Sequence, residues 1–172
     1  MKVKHYGVIE LGRDVKVSDP CYSVDTWCNH DLHNVKPGMW DCYIVLDDET
    51  ELVAYLVLCK DGYGFQIPTF CEPADIGVDS GTCGIYDYEY FAKYHQPNNR
   101  DEEWYEENVM SWCMKDQAFL CTEGKGFVSD TGHGDGSYYL LTEQDCQDDE
   151  IVAIAIDYCV NSDLSNLEFI ER

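Results

Sequence analysis

The chain has 172 residues, of which 45% are apolar, and a formal net charge of -23 from 34 acidic and 11 basic residues. This composition supports one domain over residues 1–172 and excludes a wholly disordered chain. The acidic balance argues against direct binding of nucleic acid or anionic membranes, which needs a basic surface. No apolar run reaches the roughly 20 residues of a membrane-spanning helix. The N-terminus lacks the apolar core of a signal peptide, so we expect a cytoplasmic protein.

The acidic residues are spread along the chain rather than repeated along one long helix. Three interpretations of the charge remain open at this point. It can be the solvated surface of an ordinary soluble protein, a means of binding cations, or a mimic of the charge of DNA.

Ten cysteines occur without a Cys-x-x-Cys pair, and we expect them to be reduced. Cys42, Cys59 and Cys159 stand at apolar strand positions, where cysteine acts as a small hydrophobic residue. A second group has residue types that suit zinc, although its spacing matches no common zinc module. That group consists of Cys21, Cys28, His30 and His33.

Short apolar stretches flanked by turn residues predict many strands. In chain order, the predicted strands span residues 2–11, 15–17, 39–47, 51–59, 65–67, 74–80, 82–87, 117–122, 126–129, 137–142, 150–158 and 167–170. Residues 23–34 are expected to be irregular or a short helix, and residues 88–95 to form one or two helical turns. Asp61-Gly62 predicts a hairpin turn before the strand at residues 65–67.

Residues 100–115 carry the pattern of an amphipathic helix. Asn99 and Glu102 form a capping-box arrangement at its start. Apolar residues then recur at helical spacing, so that Trp112 is predicted to be buried. These residues are Tyr105, Val109, Trp112 and Cys113. The predicted fold is α+β: mainly an antiparallel, β-sandwich-like single domain with one inserted amphipathic helix at about residues 100–115.

Three loop sequences place polar side chains beside glycine or proline, at residues 17–22, 76–87 and 129–138. Glycine permits positive φ and close approach of a ligand. Carboxylates there can bind sugar hydroxyls, and an Asp with a His can hold a metal, although an elaborate β-turn also fits. We expect the loops to meet at one end of the domain. The candidate ligand-binding residues are Asp19, Tyr22, Asp79, Ser80, Thr82, His133, Asp135, Ser137 and Tyr138.

Familiar catalytic motifs fit these loops poorly. Asp79-Ser80-Gly81 and Asp130-Thr131-Gly132 each match the Asp-Thr/Ser-Gly of aspartic proteases, but the chain is short for two lobes and the flanking sequences differ. Ser80 lacks the Gly-x-Ser-x-Gly of serine hydrolases. The glycines also lack the lysine and the spacing of nucleotide-binding loops.

Two of these loops carry a family resemblance. Val-Asp-Ser-Gly-Thr-Cys-Gly-Ile-Tyr-Asp at 78–87, Gly-His-Gly-Asp-Gly-Ser-Tyr at 132–138 and an apolar strand ending at Asp157 resemble a family of uncharacterised bacterial and phage proteins. Ser-Asp-Pro-Cys-Tyr at 18–22 is similar to its small phage members. The resemblance spans residues 15–158 and implies a β-rich fold in a bacterial host cytoplasm, with no established activity. Tyr139 stands where the family often has proline.

Three functional hypotheses follow. The first is a phage-type protein that binds and sequesters a small nucleotide-like signal used in host defence, with Tyr22, Tyr86 and Tyr138 as stacking surfaces and no cofactor. The second is a metal-assisted hydrolase using Asp79, His133, Asp135 and Asp157. The third is an acidic decoy that blocks a host nucleic-acid-binding enzyme by charge.

Overall fold

Two mainly antiparallel β-sheets packed face to face form the body of the molecule. The computed structural model describes residues 1–69, 74–113, 115–161 and 163–170. Its strands are β1 (Lys2–Leu11), β2 (Val15–Ser18), β3 (Asn29–Leu32), β4 (Gly38–Leu46), β5 (Val53–Lys60), β6 (Ala74–Val78), β7 (Thr82–Asp87), β8 (His95–Gln96), β9 (Asn99–Arg100), β10 (Ala118–Leu120), β11 (Gly126–Asp130), β12 (Gly136–Gln144), β13 (Ile151–Asp157) and β14 (Glu168–Ile170). The seven-stranded sheet has the order β14-β1-β4-β5-β13-β12-β6, and the five-stranded sheet the order β10-β11-β7-β2-β3. The edge strand β14 pairs with β1 in parallel.

The main core lies between the two sheets, where alternate residues of each strand point inward. On β4 these are Trp40, Cys42, Ile44 and Leu46, all in the main core as the alternation predicts. The β-rich fold with a small helical insertion is therefore the one that the sequence predicts.

A second apolar cluster covers the outer face of the seven-stranded sheet. Phe65 and Ile67 pack there against residues such as Tyr55 and Val57. The prediction of a strand at 65–67 is wrong. The Gln66 amide lies 3.3 Å from the sulfur of Cys59, so this segment lies on the outer face of the sheet instead of extending it.

Two short helices cover the outer face of the five-stranded sheet. They are α1 (Tyr88–Tyr94) and α2 (Glu102–Tyr105), and α2 continues as a π-helical turn, Glu106–Met110. Trp112 is 4% exposed and packs in this layer, as predicted.

The predicted limits of the helix, 100–115, are wrong at both ends. Asn99 and Arg100 pair with β8 as strand β9, so they are extended. The N-cap is Asp101, whose carboxylate accepts a hydrogen bond of 2.8 Å from the Trp104 amide. The π-helical turn then ends the regular helix at Met110. Residues 23–34, expected to be irregular or helical, contain β3, which pairs with β2.

The nine cysteines in the described part of the chain are free thiols. Cys42 and Cys59 are buried as predicted, whereas Cys159 is exposed. Cys159 has a φ of 58° in the turn after β13, where its amide donates to Asp157 Oδ1 at 2.8 Å. No helix among the described residues is long and apolar enough to cross a membrane.

The glycine loop before β12 packs directly on the start of β5. Gly132 has a φ of 68°, and a Cβ added to it would lie 2.5 Å from the carbonyl oxygen of Val53. Only glycine fits this combination of positive φ and close backbone approach.

We predict that Gly132→Ala destabilises the protein by roughly 3 kcal/mol, because strain at positive φ adds to the backbone clash. Gly62→Ala is the control. Its φ of 90° is also positive but no atom lies within 4 Å of the added Cβ, so about 1–2 kcal/mol is expected. Urea unfolding measures both. Equal losses would show that the contact with Val53 does not constrain the loop.

Candidate functional site

Asp19 is fully buried and ties the first loop to the second. Its Oδ1 accepts hydrogen bonds from the Cys21 amide at 2.9 Å and the Ser80 hydroxyl at 2.7 Å. Its Oδ2 accepts from the amides of Asp79 and Ser80, both at 2.8 Å. Four donors satisfy this carboxylate. Asp19, predicted to contact a ligand, is thus placed as the internal anchor of the loops.

The third loop joins them through Gly81. The carbonyl oxygen of Gly81 accepts a hydrogen bond of 3.1 Å from the Thr131 amide. The Thr131 hydroxyl donates to the Gly134 carbonyl oxygen at 2.6 Å, and the Tyr138 hydroxyl donates to the same oxygen at 2.7 Å. The three loops therefore meet at one end of the sandwich.

Several predicted site residues serve inside this junction. Thr82 is buried, with its hydroxyl 2.8 Å from that of Ser80. Tyr138 is also buried, in the main core, whereas Tyr86 is completely inaccessible beneath the helices and lies outside the junction. Neither ring therefore offers a stacking surface. The inward direction of Tyr138 follows from strand alternation in β12.

The remaining predicted residues lie at the surface. The Tyr22 hydroxyl donates to the carboxylate of Asp79, and this hydrogen bond raises the pKa of Tyr22 to about 12. His133, Asp135 and Ser137 are exposed. In the run Gly-His-Gly-Asp-Gly-Ser, the polar side chains therefore face solvent while the intervening glycines lie closer to the protein.

A cleft opens where the loops meet. It has a volume of about 220 Å³ and adjoins a groove of about 490 Å³, the two sharing Gln117 and Asp130. The cleft is lined by Leu52, Val53, Gly81, Gln117, Asp130, Thr131, Gly132 and Gly134. The groove is lined by Lys4, Glu51, Lys115, Asp116, Gln117 and Asp130. The glycine loops thus contribute backbone to the cleft, and the predicted polar residues at 133, 135 and 137 do not line it.

Asp130 is the electrostatically unusual residue of the cleft. Burial, followed by the charge of neighbouring Asp116, raises the pKa of the Asp130 carboxyl to about 6. The Asp116 carboxylate accepts hydrogen bonds from the Tyr6 hydroxyl at 2.7 Å and the Gln117 amide at 2.8 Å. A cleft carboxyl that titrates near neutral pH is a recognised mark of a functional site. In the sequence, Asp130 stands out only as the first residue of Asp130-Thr131-Gly132, which matches the Asp-Thr-Gly motif of aspartic proteases.

The cysteine and histidine residues that suited zinc are not gathered into a site. Cys21 Sγ lies 3.1 Å from Nη1 of Arg100, and His33 Nδ1 lies 2.7 Å from a carboxylate oxygen of Asp14. Burial raises the pKa of Cys28 to about 12. Within the described ranges, no group of three or more His, Cys, Asp or Glu side chains can hold a metal ion.

Comparison with known proteins assigns no role to any of these residues. No protein-family model matches the chain, and no curated protein or solved structure gives a significant match. The roles considered below come from the geometry of the residues themselves.

We predict that Asp19→Ala lowers the free energy of unfolding by roughly 3 kcal/mol or more, since four donors lose their acceptor in a buried position. Asp135→Ala removes the same charge from an exposed position and should change stability by about 0.5 kcal/mol or less. Chemical denaturation measures both variants. A small loss for Asp19→Ala would show that the loops do not depend on this carboxylate.

A second prediction concerns Asp130 and pH. Its folded pKa of about 6 exceeds the ordinary value of about 3.9, so the folded state binds more protons than the unfolded state between these values. Stability should therefore fall as pH rises from about 4 to about 7 and remain lower above that. Asp130→Asn should raise the melting temperature at pH 8 by about 2–4 °C and have little effect at pH 4.

Asp61→Asn, at an exposed turn residue, is the charge-matched control. Thermal unfolding of all three proteins across this pH range separates the effect of Asp130 from general repulsion in an acidic chain. A gain at pH 8 that is the same for both variants would contradict a special role of Asp130.

Proposed function

We propose that the cleft and its adjoining groove bind a small nucleotide-like molecule and hold it without chemical change. The observation that carries this proposal is the presence of two lysines, Lys4 and Lys115, on the groove of a chain with a net charge of -23. The resemblance to phage proteins supports the more specific form, a phage-type protein that sequesters a nucleotide signal of host defence.

The two lysines supply the positive charge that a phosphate requires. Lys115 is exposed, and its ammonium group donates to the carbonyl oxygen of Ser111 at 3.1 Å. The Lys4 ammonium lies 3.8 Å from Asp116 and 5.1 Å from the centre of the Tyr6 ring. Lysine binds phosphate as a point charge with rotatable donors. The same groove carries Glu51, Asp116 and Asp130, so a phosphate would need direct contact with the two ammonium groups and would favour the protonated form of Asp130.

The cleft offers suitable contacts for the rest of the ligand. Its volume together with the groove falls within the range of about 300–1,000 Å³ that is usual for small-molecule sites. Leu52, which is partly exposed, provides an apolar contact. Asp130, when protonated, can donate one hydrogen bond and accept others, as a ribose hydroxyl or a base edge requires.

The hydrolase and decoy hypotheses have weaker support. In the part of the chain that the structure describes, the four residues assigned to hydrolysis do not form a group that can hold a metal ion. Asp79 accepts a hydrogen bond from Tyr22, and Asp157 accepts one of 2.8 Å from the Cys159 amide. The decoy hypothesis rests on net charge alone. Neither accounts for a cleft carboxyl with a raised pKa beside two lysines.

We predict that at least one cyclic mono- or dinucleotide binds at pH 6 with a dissociation constant below about 100 μM, measured by calorimetry. These phosphodiesters keep a constant charge between pH 5 and 8. Lys4→Gln/Lys115→Gln should weaken binding by about tenfold or more. Lys93→Gln/Lys125→Gln, which removes two exposed or part-exposed lysines elsewhere, should have little effect.

The pH dependence provides the sharper test. An anionic ligand favours protonated Asp130, so affinity should fall by up to about tenfold per pH unit above about 6, as binding then takes up a proton. Asp130→Asn should abolish this decline and bind more tightly than the wild type at pH 8. Failure of all cyclic nucleotides to bind, or an equal loss in both lysine pairs, would refute the proposal.

A further inference from the structure

Trp27 differs from every other tryptophan of the chain in being open to solvent. Its side chain is 65% exposed, whereas Trp40, Trp104 and Trp112 are at most 4% exposed. It stands in the loop between β2 and β3, which belong to the five-stranded sheet. Trp27 is thus the one tryptophan whose indole is available for contact with another molecule.

The indole of Trp27 lies on the edge strand of the other sheet. A Cβ added to Gly77 of β6 would lie 2.1 Å from Cζ3 of Trp27. The ring therefore fills the space that a side chain at residue 77 would occupy. Gly77 pairs with Ser137 of β12, so the ring stands beside Ser137.

Ser137 and Tyr139 project from the same face of β12, since side chains alternate along a strand. This is the outer face, because the intervening Tyr138 is buried in the main core. Tyr139 is 48% exposed and lies about 7 Å from Ser137 along the strand. Asp75 of β6, also exposed, is its cross-strand partner. We name Trp27, Asp75, Ser137 and Tyr139 the aromatic platform.

We propose that the aromatic platform binds a neutral saccharide. One face of a sugar ring is made of C–H groups and packs on an exposed aromatic ring, which is largely apolar. Its rim carries hydroxyl groups, which donate to carboxylates such as Asp75 and exchange hydrogen bonds with the Ser137 hydroxyl. Two exposed rings on the outer face of β6 and β12 can contact successive sugar units.

The carboxylates around the two rings favour a neutral saccharide over other ligands. Asp75 and nearby Asp135 are exposed carboxylates, which disfavour phosphorylated or sulfated ligands. An apolar protein surface would have to desolvate the same carboxylates without giving them donors. A neutral polyol offers both an apolar face and many donors. The aromatic platform shares no residue with the nucleotide cleft, so the two proposals stand or fall separately.

The test uses maltoheptaose, cellohexaose and chitohexaose as saccharides and adenosine as a planar base without phosphate. Because Trp27 is the exposed tryptophan, acrylamide quenching of tryptophan fluorescence reports chiefly on its ring. We expect at least one saccharide to protect the fluorescence from quenching and to bind in calorimetry. Trp27→Ala and Tyr139→Ala should each weaken that binding by about tenfold.

Two further variants make the result specific. Gly77→Ala retains Trp27 but displaces its ring from β6, and it should weaken binding as Trp27→Ala does. Tyr63→Ala removes a ring that is 41% exposed in a distant turn, and binding should be unchanged. Absence of binding by all three saccharides, an equal loss in Tyr63→Ala, or Trp27-dependent binding of adenosine alone would overturn the proposal.

Discussion

One buried carboxylate determines how the functional end of this protein is assembled. Asp19 lies directly after β2, and its two oxygens accept hydrogen bonds from Cys21 on its own loop and from Asp79 and Ser80 on the loop after β6. Burying a carboxylate costs several kcal/mol unless donors replace its water. The donors are mostly backbone amides, so the carboxylate fixes the path of the chain itself.

The rest of the site follows from this arrangement. With residues 79 and 80 fixed, the carbonyl oxygen of Gly81 is positioned to accept from the Thr131 amide. The third loop can then approach closely because Gly132 and Gly134 adopt positive φ. Asp130, at the end of β11, is consequently enclosed beside Asp116, and its raised pKa is a result of that enclosure.

The alternation of glycine and polar residues after Asp130 separates two surfaces. Gly132 and Gly134 line the cleft through their backbone, while His133 and Asp135 face solvent. Ser137 continues the outward series on β12. The same short sequence therefore supplies the wall of one proposed site and part of the other, on different sides of the chain.

The sequence predicted much of the fold because strand alternation and turn residues are local signals. The inward face of β4 and the positive φ of Gly132 and Gly134 are examples. The role of Asp19 could not be predicted. The local sequence Asp19-Pro20 is the same whether the carboxylate binds a ligand or accepts hydrogen bonds from distant backbone amides. Its partners at residues 79 and 80 are brought close only by the pairing of the sheets.

Contacts between distant segments also explain why other residues of the proposed sites could not be predicted from the sequence. Trp27 carries no periodic signal, and its contact with Gly77 joins segments that are 50 residues apart. Lys4 and Lys115 are ordinary surface residues until the fold places them on one groove. Tyr138 follows a glycine motif that is typical of a binding loop, whereas its position on β12 places its side chain in the core.

Amide hydrogen exchange in the wild-type protein, measured residue by residue by NMR, tests the central claim that the three loops form one junction. Cys21, Asp79, Ser80 and Thr131 stand in loops, yet each donates its amide to a partner within the junction. We predict that all four exchange as slowly as amides of the neighbouring strands. Exchange at the rate of an unstructured peptide at residues 79, 80 and 131 would contradict the junction and both roles assigned to its loops.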